Sequence, residues 1–268
     1  RNDETHPNDP LFYNQSFNTL FNYSGRSFEM LKNQFGKFNN QEIKRIESKV
    51  DLKDARDNSS NCDIWITDPP YADAVNYHEL TEFFLAWDKK LLEKAFPDWY
   101  TDSKRILAVR GTGQSFNESM IEIYKNMANH MPENGTQVVM FTHQDVKVWS
   151  ELAMILWSAG LRVISAWTIS TETEASGIKQ GNYVSGTVLL TLKKQTSEEK
   201  IYRDELYDEI KDEVESMIDS MRDLNIKEDP DFNDADFILA SYAAALKVIT
   251  TYKKIGGIDI SYWLSRSR

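Results

Sequence analysis

The hydrophobic periodicities predict an α/β protein: a doubly wound sheet that ends in a β-hairpin, followed by a helical appendage. Three observations carry this expectation. Residues 62–67 (CDIWIT) and 137–142 (QVVMFT) are short apolar runs of strand length, each followed by helical spacing. Residues 162–170 and 186–193 are two β-branched runs in succession, joined by a polar, Gly-containing segment at 171–185. From residue 197 the strand signal stops and two helical patterns follow.

Taken in order, residues 1–49 are rich in Asn, Phe and Lys and read as a helical or irregular segment, with helices expected over 27–38 and 42–49. The start at Arg1 rather than Met, with a polar stretch after it, reads as a processed or truncated chain. The run at 62–67, closed by Pro69-Pro70, reads as a buried strand feeding a loop. Leu80, Phe83, Phe84, Trp87 and Leu91 then recur at helical spacing over 79–92. Phe116, Met120, Ile123, Met127 and Met131 do the same, stopping before Pro132 and the turn at Asn134-Gly135. After the next strand, Asp145 is placed to cap a helix with Val148, Leu152, Ile155 and Leu156 inward, and Gly160 to end it. Residues 199–224 read as a charged helix with Ile201, Leu206, Ile210, Val214 and Met217 on one side, and residues 236–252 as a second one rich in Ala and Leu. The expected domains are therefore 1–49, 50–196 and 197–268.

With 268 residues and 41% hydrophobic composition the chain can bury a substantial core. One cysteine, Cys62, excludes an internal disulfide framework and a Cys-rich zinc site, and no His/Cys/Asp/Glu spacing suggests a metal. A reducing cytoplasm is the simplest setting, and no apolar run reaches the length of a membrane span. The net charge of −11 disfavours phosphate binding, but it is uneven. Residues 198–231 hold 14 acidic and five basic residues, a net of −9, which leaves −2 for the rest. That run reads as a solvated helix face, or as a surface for a basic partner.

One motif carries chemistry. Asp68-Pro69-Pro70-Tyr71 follows the strand at 62–67 directly. Its chance occurrence in a chain of this length is about one in a thousand at average composition. Open α/β sheets bind ligands at the carboxyl ends of their strands. The exocyclic amine of adenine or cytosine is a poor nucleophile, because its lone pair is delocalised into the ring. A carboxylate (Asp68) and a backbone carbonyl (Pro69) accepting its two hydrogens would favour a pyramidal nitrogen aimed at a sulfonium methyl. Pro70 continues the stiff corner, and neither proline offers an N–H. Tyr71 supplies an aromatic face for a flipped base. Cys62, upstream in the strand, reads as core.

The stretches TDPPYADAVNYHELTEFFLAW, MPENGTQVVMFTHQDVKVWSELAMILWSAGLRVISAWTISTE and GNYVSGTVLLTLKK resemble large adenine-specific DNA methylases. These are multi-domain proteins, often with a zinc ribbon, encoded in anti-phage gene clusters. The resemblance covers about residues 50–194 and several segments in order. It implies a Rossmann-like class I methyltransferase core that binds S-adenosyl-L-methionine and methylates N6 of an adenine flipped out of DNA. It makes Asp68, Pro69, Pro70 and Tyr71 the amine-binding loop and gives Asp68 and Asp54 cofactor contacts. Asn76 and Tyr77 join Tyr71 as candidate lining of the base pocket. Asp54 reads equally as a solvated loop acid, and Tyr77 equally as a packing aromatic. The Gly-rich cofactor loop of the family precedes the motif, whereas residues 1–50 hold only the isolated Gly25 and Gly36. Gly111-Thr112-Gly113 follows the motif and is a weak match. Three accounts stay open: an upstream part outside this chain, a loop on another chain, or loss of cofactor binding.

The expectation is thus a DNA adenine-N6 methyltransferase in phage defence or restriction–modification, with DNA and other domains or subunits of a defence complex as partners and no membrane. Cytosine-N4 methylation and a non-catalytic assembly or DNA-sensing subunit are the alternatives. His143 reads as a structural histidine ahead of a substrate-facing one. Trp149, Trp157 and Trp167 read as core.

Overall fold

The structure is a computed structural model, and it describes residues 49, 51, 53–70, 77–98, 109, 113–170, 186–228 and 232–259; the side chains of 77–81, 170, 225–228 and 258–259 are outside the description. Of the expected N-terminal segment only Lys49 is described, and it makes an ion pair with Asp51 at 2.8 Å. Residues 52–172 and 182–268 belong to one compact unit.

The architecture is mixed α/β. A 3-10 turn (Ala55–Asp57) precedes β1 (Ile64–Thr67), then come α1 (Tyr77–Ala95), α2 (Gln114–Asn129), β2 (Thr136–Phe141), α3 (Val146–Ser158), β3 (Leu161–Ser170) and β4 (Gly186–Lys194). The main sheet runs β1-β2-β4-β3. β1 and β2 are parallel, with Ile66 opposite Val138, while β4 runs antiparallel to both β2 and β3. The expected terminal hairpin is therefore present, and its second strand inserts beside β2.

The caps are those the sequence predicts. Asp145 accepts from the Lys147 N–H at 2.8 Å to start α3, which ends before Gly160. The periodic apolar residues of α2 and α3 (Phe116, Met120, Ile123, Leu152, Ile155 and Leu156) are buried with Val139, Leu190 and Leu192 of the sheet in one core.

That core lies on one face of the sheet. Residues paired across strands point to the same side. Val139, Leu190 and Val163 are buried, whereas Ile64, Ile66 and Trp167 are 62%, 71% and 64% exposed. Two expectations are corrected here. β1 was expected to be a buried strand, and Trp167 to be core. Among the described residues β1 is an edge strand and the helices cover one face, so Ile64, Ile66 and Trp167 stand on the other. Trp149 and Trp157 are core as expected, at 2% and 6% exposed.

The tail differs from an appendage. After a two-residue strand β5 (Lys200–Ile201), α4 (Arg203–Glu228) and α5 (Asp234–Thr251) follow, then β6 (Lys254–Ile255) and β7 (Ile258–Asp259). Ile201, expected on the helix, lies in β5, which pairs in parallel with β6. α5 packs on β3 and β4, and its Leu239, Ala243 and Leu246 belong to the main core. The charged α4 packs against α5. The physical link is Asp236, fully buried, which accepts from the Gly186 N–H at 2.9 Å and the Asn233 N–H at 3.1 Å. Any side chain at Gly186 would collide with that carboxylate: a Cβ there would sit 2.9 Å from Asp236 Oδ1.

Candidate active site

β1 and β2 are parallel, so their carboxyl ends, Thr67 and Phe141, lie on the same side of the sheet. Asp68 leaves β1 there. Its carboxylate is exposed, Pro69 behind it is buried, and Pro70 is half-buried. The two prolines are wedged against an apolar wall built by α2 and α3. Pro69, Pro70, Phe116, Asn117, Met120, Phe141, Val148, Glu151, Leu152 and Ile155 line a pocket of about 310 Å³ counted out to open solvent. The periodicity that makes α2 amphipathic thus places Phe116 and Met120 as the floor under the corner, while the carboxylate stays in water.

One turn further along α2, Tyr124 is 1% exposed. Its hydroxyl lies against the Thr67 side chain without a hydrogen-bond partner. Burial above all holds this phenol above its ordinary pKa; the neighbouring Thr67 opposes the shift and the Asp68 charge adds to it. Asn117 contributes a second such group, a buried Oδ1 with no hydrogen-bond partner in an otherwise mostly apolar lining. The sequence shows the helical face that carries these residues but not that it faces the Asp-Pro-Pro corner. Asn117, a polar residue next to Phe116, was the available signal.

α2 itself begins at Gly113, the last residue of the Gly-x-Gly string. Gly113 has φ 78° and ψ −148°, a conformation close to glycine-only, and it is the N-cap of α2.

Asp54 is placed differently from the corner. It caps the 3-10 turn, accepting from the Arg56 N–H at 2.9 Å. Its carboxylate is engaged by the Arg56 guanidinium through Nη2 at 2.6 Å and Nε at 3.0 Å. The Arg56 hydrogen bond holds its pKa below the ordinary carboxylate value. The turn lies on the second half of α2, where the Asn58 carbonyl accepts from Asn126 Nδ2 at 2.7 Å, whereas Pro69 and Pro70 meet the first half. Neither Asp54 nor Asp68 lines the pocket under the two prolines.

His143 lies past the end of β2, on the same side of the sheet as Asp68. Its Nδ1 accepts from the Asp145 N–H at 3.0 Å and its carbonyl accepts from Trp149 Nε1 at 2.7 Å, which ties the ring to the start of α3. Tyr71 and Asn76 lie outside the described residues. Tyr77 is the first residue of α1, with its side chain outside the description. Cys62 is half-buried just before β1, and its N–H donates to the His130 carbonyl. Among the described residues no cluster of three or more His, Cys, Asp or Glu is placed to hold a metal.

Chemically the corner is an acceptor: a solvated carboxylate and a proline carbonyl on a rigid, apolar footing at a strand's carboxyl end. It suits a donor such as an amine. Of the two cofactor contacts that the resemblance implies, Asp68 is at this corner and the Asp54 carboxylate is engaged by Arg56. Compared with family models, curated proteins and solved structures, the chain matches none.

Proposed function

We propose that this chain carries the amine-receiving half of a DNA adenine-N6 methyltransferase. The observation that supports this best is the exposed Asp68 carboxylate at the carboxyl end of a parallel strand, on two prolines anchored between α2 and α3. Asp68 and the Pro69 carbonyl accept the two amine hydrogens of a flipped adenine and orient its nitrogen; Tyr71, with Asn76 and Tyr77 beyond it, lines the base pocket. S-adenosyl-L-methionine, when bound, supplies the electrophilic methyl group. A parallel pair extended by an antiparallel hairpin is compatible with the Rossmann-like class I sheet of this reading. DNA is the macromolecular partner, other subunits of a phage-defence or restriction–modification complex are its companions, and the cytoplasm is the setting. No helix among the described residues is long and apolar enough to cross a membrane.

The test is transfer of labelled methyl groups to adenine-containing DNA, with the methylated nucleoside identified by mass spectrometry. Asp68→Ala should lower turnover by at least about 10²-fold, the scale of losing one oriented polar group, with melting unchanged because the side chain is exposed. Wild-type turnover in that variant would sink the role. Recovery of N4-methylcytosine would replace adenine by cytosine, since the same acceptors suit either amine.

The Asp54–Arg56 pair favours a second reading, a non-catalytic methyltransferase-fold module for assembly or DNA sensing, because it occupies an expected cofactor contact. Calorimetric titration with S-adenosyl-L-methionine separates the two: no heat from this chain or from a longer one containing it would favour the module.

A further inference from the structure

Helix α1 turns its apolar side to solvent. Phe83, Phe84, Trp87 and Leu91 recur at helical spacing and form one stripe, yet they are 63%, 62%, 76% and 67% exposed. The side that is covered holds Leu85 and Leu92 instead. Phe83 and Phe84 meet edge to face at 5.4 Å, so the stripe is continuous rather than a scatter of single side chains. Scattered exposed apolar residues are ordinary; four contiguous large ones mark an interface.

We propose that α1 is a self-association surface, through which two copies of this chain pair with their α1 helices antiparallel about a two-fold axis between Phe84 and Trp87. Three features point to a second copy. Leu80, Phe84, Trp87 and Leu91 follow at intervals of four, three and four, the spacing of a seam between two helices. The four exposed side chains would remove roughly 500 Å² from water on each copy, or about 1,000 Å² together, the size at which specific interfaces begin. An isologous pair needs only this one patch, matched to itself.

Charge fixes the direction. The helical repeat places positions 79, 90 and 94 along one edge of the stripe. In an antiparallel pair centred between Phe84 and Trp87, position 79 falls opposite position 92, so Glu79 of one copy lies between Lys90 and Lys94 of the other. In a parallel pair this edge of one copy would face the opposite edge of the other, and Glu79 would not meet Lys90 or Lys94. The pairing does not depend on the methyl-transfer reading.

Sedimentation analysis of the 268-residue chain across roughly 1–100 μM tests it, with expected behaviour that of a reversible monomer–dimer equilibrium. Trp87→Glu should weaken the dimer at least about tenfold, with Leu91→Ala as the milder variant if circular dichroism shows that the first disturbs the fold. Lys90→Glu with Lys94→Glu should weaken it as well, and adding Glu79→Lys should restore it. A chain that stays monomeric throughout overturns the proposal; shielding of Trp87 from a fluorescence quencher would then assign the stripe to a cover from the same chain. Dimers that survive Trp87→Glu, growth beyond a dimer, or failure of Glu79→Lys to rescue would each overturn it too.

Discussion

Single residues show how far a side chain's role depends on its neighbours. Asp68 and Asp54 are the same residue type at equally suggestive positions, yet one carboxylate is exposed at a strand's end and the other is held by Arg56. Gln137 is the opposite case. It sits in β2 at 1% exposure with neither side-chain amide atom hydrogen-bonded. Burying an unpaired amide is unfavourable, whereas an apolar isostere removes that penalty. Gln137→Leu should therefore be neutral or stabilising by about 1 kcal/mol in denaturant unfolding. A loss of several kcal/mol would instead mean that the amide has a functional or structural partner. The Asp-Pro-Pro corner was legible at this scale because its residue types and its position after a strand are both local. The Asp54–Arg56 pair was not read, although the two residues lie two positions apart, because Arg56 could equally have pointed to solvent.

Elements are joined by a few buried polar contacts. Asp236 closes a capping box with Asn233 at the start of α5 and also receives the first N–H of β4. Asp236→Ala would leave buried donors unmet and should destabilise the chain by about 2–4 kcal/mol, more than a surface cap does. A change within ±0.5 kcal/mol on chemical denaturation would show that α5 is held by its apolar face alone. At the other end of α5, the Tyr252 hydroxyl donates to Glu209 of α4 at 2.6 Å. That hydrogen bond, with burial and the charge of Glu209 behind it, pushes the phenol up to about 12. The folded chain thus keeps a proton that the unfolded chain releases near pH 10. The stabilisation is complete below pH 10 and is lost as pH rises toward about 12. Comparing wild type with Tyr252→Phe at pH 9 and at pH 12 isolates this effect from the other tyrosines. The stability gap should narrow at the higher pH, and a constant gap would contradict the contact.

Across the whole molecule, charge is the largest imbalance. The −9 carried by residues 198–231 falls largely on α4, whose acidic residues are mostly exposed. Mutual repulsion there opposes compaction, and added salt screens it. Raising NaCl from about 20 to about 300 mM, which shortens the screening length from ~20 to ~6 Å, should raise Tm by a few degrees. A fall in Tm would mean that the ion pairs at 2.6 Å between Lys247 and Glu213 and between Lys253 and Glu198 outweigh the repulsion.

The sequence by itself determined the strands and helices of the central region, the caps at Asp145 and Gly160, the closing hairpin, and the corner at Asp68. Each rests on spacing or on residue chemistry within a few positions. Only the tertiary structure decided which faces are covered. A period of two or of 3.6 tells which residues share a face but not what packs on it, so Trp167 and the stripe on α1 are exposed despite core-like spacing. The same limit hid α5 against the sheet and Ile201 in β5, because both depend on contacts between residues far apart in the chain, such as Asp236 with Gly186 and Ile201 with Ile255.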